Sequence, residues 1–205
     1  MAVYQSGDDI PPPLLFRFRA AVGGLGLIHG PARGSRYQWH TKSHPILESV
    51  TEVMWPWLGT AKRAQLSRAA AEVGRVVPAF RDAQWSPKEG AAWAAGFFDG
   101  EGSVGVIGDP RRTSVWMELP QASASGIPEV LARFLAIVGV GRISGPRRVP
   151  SPWSKLPQYR WEVARFADVE RVADMLYPHA DIVKRERMFN CLDRVRRARA
   201  VRTRR

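Results

Sequence analysis

The sequence predicts an α+β protein in which helices cover one face of antiparallel sheets. Three features predict it: an internal repeat, strands in which polar and apolar residues alternate, and a helix of small residues that ends in acids and runs into a strand.

The repeat extends over most of the chain. Ile10-Pro11, Phe18, Val22, Gly24, Gly26, Ile28 and Gly30-Pro31 recur in order as Ile127-Pro128, Phe134, Val138, Gly139, Gly141, Ile143 and Gly145-Pro146. Arg36-Tyr37-Gln38-Trp39 then matches Gln158-Tyr159-Arg160-Trp161, Val50 and Val53 match Val169 and Val172, and Trp55-Pro56 matches Tyr177-Pro178. Lys62-Arg63 and Lys184-Arg185 each begin six residues after their proline. The second copy runs helix, strand, strand, helix, strand, strand, helices. The first begins at Met1–Gln5, the counterpart of the strand that ends Leu119-Pro120-Gln121, and residues 1–9 hold no opening helix.

That opening helix of the second copy is the most informative stretch. Ser86, Pro87 and Glu89 read as an N-cap, a first-turn proline and an acid suited to a helix N-terminus. The helix continues to Glu101, Gly102 reads as its stop, and Ser103–Ile107 reads as a strand. Ala92, Gly96 and Gly100 recur every four residues with Ala95 beside them, so one face carries almost no side chain. A second helix can approach such a face closely. Glu101 then lies where two helices meet at the lip of a sheet, where one carboxylate from each helix offers hard oxygen ligands to divalent cations.

The nine residues Ala94-Ala95-Gly96-Phe97-Phe98-Asp99-Gly100-Glu101-Gly102 resemble the motif of the LAGLIDADG homing endonucleases, and the order of the surrounding elements resembles that family as well. The resemblance covers nearly the whole chain, as one and a half repeats. It implies αββαββα repeats whose antiparallel, saddle-shaped sheets carry helices on one face. It also implies a site-specific double-strand DNA endonuclease acting in the homing of a mobile genetic element, as in an intron or intein. The cofactor implied is Mg²⁺ or Mn²⁺, held at Glu101 and Gly100. Ala92, Ala95, Gly96, Asp99 and Gly100 take the places of the family's helix interface, with Asp99 as the acid that ends the helix. Gln121 is similar to the polar residue that positions the water network, and Lys184 to the basic residue that supports it. Gln5 and Lys62 occupy those places in the first copy. Since that copy lacks its own motif acid, the resemblance implies a reading frame that starts upstream, a second chain supplying the motif helix, a homodimer, or a decayed protein. Two other readings compete: a non-cleaving nucleic-acid binder on the same fold, such as an intron maturase or transcription regulator, and a degenerate remnant.

Charge fits a nucleic-acid partner. The chain has 31 Lys+Arg against 19 Asp+Glu, a net charge of +12, the electrostatic footprint of a phosphate-binding protein. Residues 184–205 alone hold ten basic and two acidic side chains, among them Arg196, Arg197, Arg199, Arg202, Arg204 and Arg205. In the strand Arg36-Tyr37-Gln38-Trp39-His40-Thr41-Lys42, the residues Arg36, Gln38, His40 and Lys42 alternate with Tyr37, Trp39 and Thr41. Gln158–Val163 alternates in the same phase, and Arg142 and Ser144 flank Ile143. Period-two patterning sends the aromatics to the helices and the long polar side chains to the other face, where such side chains can reach base edges in a major groove. The expected contacts to double-stranded DNA are Arg36, Gln38, His40, Lys42, Arg142, Ser144, Arg147, Arg148, Arg160, Glu162, Arg196 and Arg197.

Other features are read structurally. His29, His40, His44 and His179 are too scattered for a metal site. Gly23-Gly24-Leu25-Gly26 is a helix-to-strand turn like Gly139-Val140-Gly141, and Trp55-Pro56-Trp57 is a packed helix end. The single Cys191 is a packing residue, which agrees with a reducing compartment. No apolar run reaches 18 residues and no signal peptide is evident, so the expectation is a cytoplasmic (prokaryotic or phage) or organellar protein that is not secreted and not in a membrane. Breaks at Val76-Val77-Pro78 and Gln84-Trp85-Ser86-Pro87 predict a partial first repeat over 1–75, a linker over 76–85, and a complete second repeat with a basic tail over 86–205.

Overall fold

The computed structural model of the chain describes residues 1–7, 10–32, 35–77, 84–108, 113–148 and 156–203. The fold is α+β with two antiparallel sheets. Contacts divide it into two units, Met1–Gln84 and Trp85–Arg205. Of the expected linker, residues 78–83 lie outside the described residues, as do Arg204 and Arg205.

In the second unit, α4 (Pro87–Glu101) leads into β4 (Ser103–Ile107) and β5 (Ser114–Ala122). Then follow α5 (Glu129–Val138), β6 (Arg142–Arg147), β7 (Gln158–Val163), α6 (Phe166–Leu176) and α7 (Ile182–Thr203). The sheet order is β4-β5-β7-β6. A capping box starts α4: Ser86 Oγ accepts the Glu89 N–H at 3.3 Å, and the Glu89 carboxylate accepts the Ser86 N–H at 2.8 Å. The backbone hydrogen bond from Ser86, then its hydroxyl, hold the Glu89 carboxyl below its ordinary range. The helix stops at Gly102, which packs so tightly under the Phe98 ring that any Cβ would collide with it.

Pleating sorts the side chains. Met117 and Leu119 of β5 and Tyr159 and Trp161 of β7 turn toward the helices and are buried. Ala94 and Phe98 of α4, Leu131 and Phe134 of α5, Val172 of α6 and Met188 and Leu192 of α7 close over them. Phe134 stands edge-on to Trp161 with ring centroids 4.8 Å apart. Each large apolar side chain so covered contributes about 1.5–3 kcal/mol of burial.

The first unit repeats this plan with fewer parts. Its elements are β1 (Ala2–Ser6), α1 (Pro13–Ala21), β2 (Leu27–Ala32), β3 (Arg36–His40), α2 (His44–Met54), a 3₁₀ turn over Trp55–Trp57, and α3 (Thr60–Glu72). Sheet order β1-β3-β2 reproduces β5-β7-β6, and the register agrees: Gln5 faces Tyr37 as Gln121 faces Tyr159. In both units the central-strand indole donates to a turn carbonyl, Trp39 to Leu25 at 2.8 Å and Trp161 to Val140 at 3.0 Å. Gly26 and Gly141 lie under these indoles with φ of +76° and +90°, where a side chain would meet both backbone strain and the ring. The Gly30-Pro31 and Gly145-Pro146 bonds are both cis.

One pairing of the repeat is corrected. The spacing of Trp39 to Trp161, carried through to Lys62 and Lys184, matches Leu47 with Val169 and Val50 with Val172. Val53 is 48% exposed, whereas Val50 and Val172 are fully buried. Valines three residues apart fit almost as well one helical turn out of register, so sequence spacing could not separate the two alignments.

Among the described residues, the first unit has no counterpart of α4 and β4, so β1 is a sheet edge. Its buried core is Leu15, Val22, Tyr37, Trp39 and Val50. The helix α3 buries no residue, whereas its counterpart α7 buries Met188, Leu192 and Val195. No helix among the described residues is long and apolar enough to cross a membrane.

Candidate metal and nucleic-acid site

The end of α4 is gripped by the start of α7. Asp99, 7% exposed, accepts the backbone N–H of Asp181 on Oδ2 at 2.8 Å. Asp181 precedes α7, and its Oδ1 accepts the N–H of Val183 at 3.0 Å. Carboxylates at the positive end of the helix dipole thereby satisfy the N–H of the residue before α7 and that of Val183 in its first turn. The resemblance made Asp99 the acid that ends the helix; in the structure α4 continues through Gly100 to Glu101, and Gly102 caps it. The Asp99 carboxylate instead serves the N-terminus of another helix.

Two cations then cross from α7 to the region after α4. The Lys184 ammonium donates to the Gly102 carbonyl, and Arg187 Nε donates to the Val104 carbonyl at 3.0 Å. Burial pushes the Lys184 ammonium below its ordinary pKa and the charge of Arg187 adds to this, while Asp99 and Glu101 pull the other way. Glu101 is exposed at the last position of α4. Gln121, near the end of β5, lies at the same end of the sheet, because β5 runs past the start of β4, where Ser103 pairs with Glu118.

The five expected interface residues separate into two sets. Ala95 and Asp99 are buried within the second unit. Ala92, Gly96 and Gly100 are exposed, and a Cβ built on Gly96 or Gly100 meets nothing within 4 Å. The donors around Glu101 are one carboxylate and the carbonyls of a helix C-terminus, all hard oxygens. Mg²⁺ is commonly held by one or two carboxylates together with substrate phosphates and water, so the residues fit that ion as one side of a site. Among the described residues no group of three or more His, Cys, Asp or Glu could hold a metal by itself.

The polar sheet faces follow the alternation. In the second unit Arg142 and Glu162 are register partners joined at 2.8 Å, and Arg160 reaches Glu118 at 2.8 Å. Ser144 sits opposite Arg160 and Arg147 opposite Gln158, and Arg148 is exposed just beyond. In the first unit Arg36 lies over the Tyr4 ring at 5.8 Å, and His40 stacks on His29 with centroids 4.7 Å apart. Gln38 is half-buried between them and Lys42 is exposed past the strand. Gln5 points to the opposite, helix-covered side with Val3, and Lys62 is exposed on α3.

Arg196 and Arg197 stand elsewhere. The expected basic tail is the second half of a helix that reaches Thr203, and Arg196 is tied to Glu170 of α6 at 2.5 Å while Arg197 pairs with Asp193 one turn back. They belong to the helix layer, not to the polar sheet face. Sequence reading missed Arg187, Asp181, Tyr4 and His29. Arg187 was legible as the residue three after Lys184 on one helix face, and Asp181 as an acid immediately before an apolar helix start. Tyr4 and His29 show only once the register of β1 and β2 against β3 is known.

No protein-family model matches the sequence, and no curated protein does. Solved structures do. The structure of I-GzeII, a LAGLIDADG homing endonuclease in complex with its DNA target, has a TM-score of 0.60 at 13% identity, covering 99% of this chain and 80% of that one. I-SmaMI bound to uncleaved DNA in the presence of calcium ions has a TM-score of 0.57 at 15% identity, again over 99% of this chain and 80% of that one. The chain spans 66% of I-CvuI, just under two thirds, with a TM-score of 0.42. At these identities the likeness concerns the fold.

The contacts assign different tasks to the two acids. Asp99→Asn should lower the stability of the second unit by about 1–2 kcal/mol, because a buried, charge-assisted bond to a helix N-terminus is weakened. Glu101→Gln, at an exposed position, should change it by less than about 0.5 kcal/mol; urea denaturation of both variants checks the contrast. Lys184 adds a pH dependence. Its folded-state pKa lies below the ordinary 10.5, so in the window between the two the unfolded chain holds more protons and stability from this group rises with pH. Relative to Lys184→Met, the wild type should therefore gain stability as pH rises toward 10.5, read from urea midpoints.

Proposed function

The chain has the LAGLIDADG fold, and from that premise we propose that it binds double-stranded DNA and hydrolyses a phosphodiester bond at a specific site with a divalent metal. The observation that carries this reading is the end of α4. Glu101 is exposed beside an uncovered strip of Ala92, Gly96 and Gly100, with the half-buried Lys184 ammonium fixed next to it. A residue needed merely for packing would not be left in that position.

In this reading the Glu101 carboxylate and the Gly100 carbonyl would hold Mg²⁺ or Mn²⁺. Bound there, such an ion lowers the pKa of water and neutralises charge on the leaving oxygen. The chain's own residues supply the rest. Asp99 and Lys184, by locking α4 to α7, keep Glu101 in place when a phosphate arrives. Lys184 also puts a partly desolvated positive charge where negative charge develops, which is worth more in a site that excludes water. Gln121 orients water from the strand side. Gln5 and Lys62 fill the corresponding positions of the first unit, and a second carboxylate has to come from outside the residues described here. The sheet faces bring Arg36, Gln38, His40, Arg142, Arg160 and Glu162 to the DNA, their ion pairs opening to reach base edges. The natural setting for such an enzyme is the homing of a mobile element.

A second reading has its own support. Glu118 and Glu162 neutralise Arg160 and Arg142, and the first unit offers no acid equivalent to Glu101 among the described residues. A binder that does not cut, such as a maturase or regulator, would need neither metal nor second acid.

Glu101→Gln distinguishes the two. On a long duplex carrying the target site with Mg²⁺, the variant should cut at least about a hundredfold more slowly while binding within about threefold of wild type. Wild-type cleavage by the variant would remove the metal assignment, and no cleavage by the wild type would favour the binder. Affinity in either case should fall by about tenfold or more between 50 and 200 mM salt.

A further inference from the structure

The open face of the first sheet holds two imidazoles in contact. Pairing of β1 and β2 with β3 sets Ala2, Tyr4 and Ser6, and then Leu27 and His29, on the same side as Arg36, Gln38 and His40. His29 and His40 lie diagonally across β2 and β3, and their rings stack with centroids 4.7 Å apart and planes 25° apart. His29 is exposed. His40 is half-buried, and its Nδ1 is covered and has no hydrogen-bond partner, which leaves Nε2 as the atom able to reach a ligand.

The second unit is built differently at this place. Ile28 and Trp39 correspond to Ile143 and Trp161, so Leu27 corresponds to Arg142, His29 to Ser144 and His40 to Glu162. There a fixed ion pair, Arg142 to Glu162 at 2.8 Å, occupies the position of the histidines. Around the histidines the charged and titratable groups are Tyr4 of β1, the Met1 amino group, which donates to the Thr41 carbonyl at 3.2 Å, Arg36 of β3 and Lys42 just past it. None is a carboxylate. Among the described residues the acids of the first unit are Glu48, Glu52 and Glu72, which lie on α2 and α3.

We propose that His29 and His40 form one proton-linked contact to a backbone phosphate of duplex DNA. Histidine changes charge between about pH 5 and pH 8. An anion against two stacked imidazoles favours their charged forms, because it offsets the repulsion of like charges and accepts their N–H groups. With no carboxylate on this face to take those N–H groups, the phosphate has no internal competitor. Binding then takes up a proton, and affinity rises as pH falls. Duplex phosphate is the ligand because the stack lies in line with Arg36 and Gln38 along the sheet of a chain whose net charge is +12. The contact rests on the duplex binding proposed above and is independent of Glu101 and of any metal.

The probe is a long fluorescent duplex of mixed sequence, titrated with the full chain at fixed salt and followed by anisotropy. Affinity should be about tenfold or more higher at about pH 6 than at about pH 8, with about one proton taken up per complex by calorimetry in buffers of different ionisation enthalpy. The chain has four histidines, so each can be tested in turn. His29→Gln and His40→Gln should each reduce the pH effect to about threefold or less, while His44→Gln and His179→Gln should retain it. Circular dichroism should show the fold kept; His29 is exposed, so its variant decides the matter even where His40→Gln does not fold. Equal affinity at both pH values would overturn the proposal and leave duplex binding standing. A pH effect that survives His29→Gln, or that His44→Gln or His179→Gln removes, would do the same. No binding at either pH would overturn the duplex reading along with it.

Discussion

The coupling of α4 to α7 is the constraint on which the rest of the second unit depends. Four side chains share it: Asp99 accepts the N–H of the residue just before α7, Lys184 takes the carbonyl that follows α4, Arg187 takes one from β4, and Phe98 is fully buried beneath Gly102. Each of the three hydrogen bonds contributes on the order of 1 kcal/mol. Together they fix the direction in which α4 ends, and therefore where the exposed carboxylate of Glu101 stands. Preorganisation of that kind matters for a group that has to meet a charged ligand without first reorganising.

The first unit shows the same plan without this coupling. Its sheet, its tryptophan anchor and its glycine turn are intact, because they depend on contacts among β1, β2, β3 and α1. Among the described residues the helix α3 has no counterpart of α4 and β4 to grip, and it buries no side chain. Helical stability in proteins comes mostly from packing an apolar face and less from propensity, so among the described residues α3 is the element with least to hold it. The exposed face of α3 and the β1 sheet edge are, among the described residues, two expressions of that one difference.

Much of this was legible in the sequence, and for identifiable reasons. Ser86, Pro87 and Glu89 announce a helix start by local chemistry alone, and Gly102 announces the stop. The faces of β3 and β7 follow from strict alternation, and the two copies are recognisable because Trp39 and Trp161 need the same glycine beneath them. What escaped was set by tertiary contacts. The division of the small residues of α4 into buried Ala95 and exposed Ala92, Gly96 and Gly100 depends on which side the sheet takes, and the role of Asp99 depends on a helix that starts at position 182, far along the chain. The basic run at the C-terminus reads as a tail because its charges hide a helical period, and the ion pair of Arg196 to Glu170 is visible only once α6 and α7 are side by side.

Residue-resolved amide hydrogen exchange on the chain alone tests the central claim most directly, since local opening is read element by element. If α7 is held by α4 and β4 while α3 lacks their counterparts, amides in the middle of α3 should exchange at least about tenfold faster than their counterparts in α7. Protection of α3 equal to that of α7 would contradict the account, because it would show that the first unit is as complete as the second.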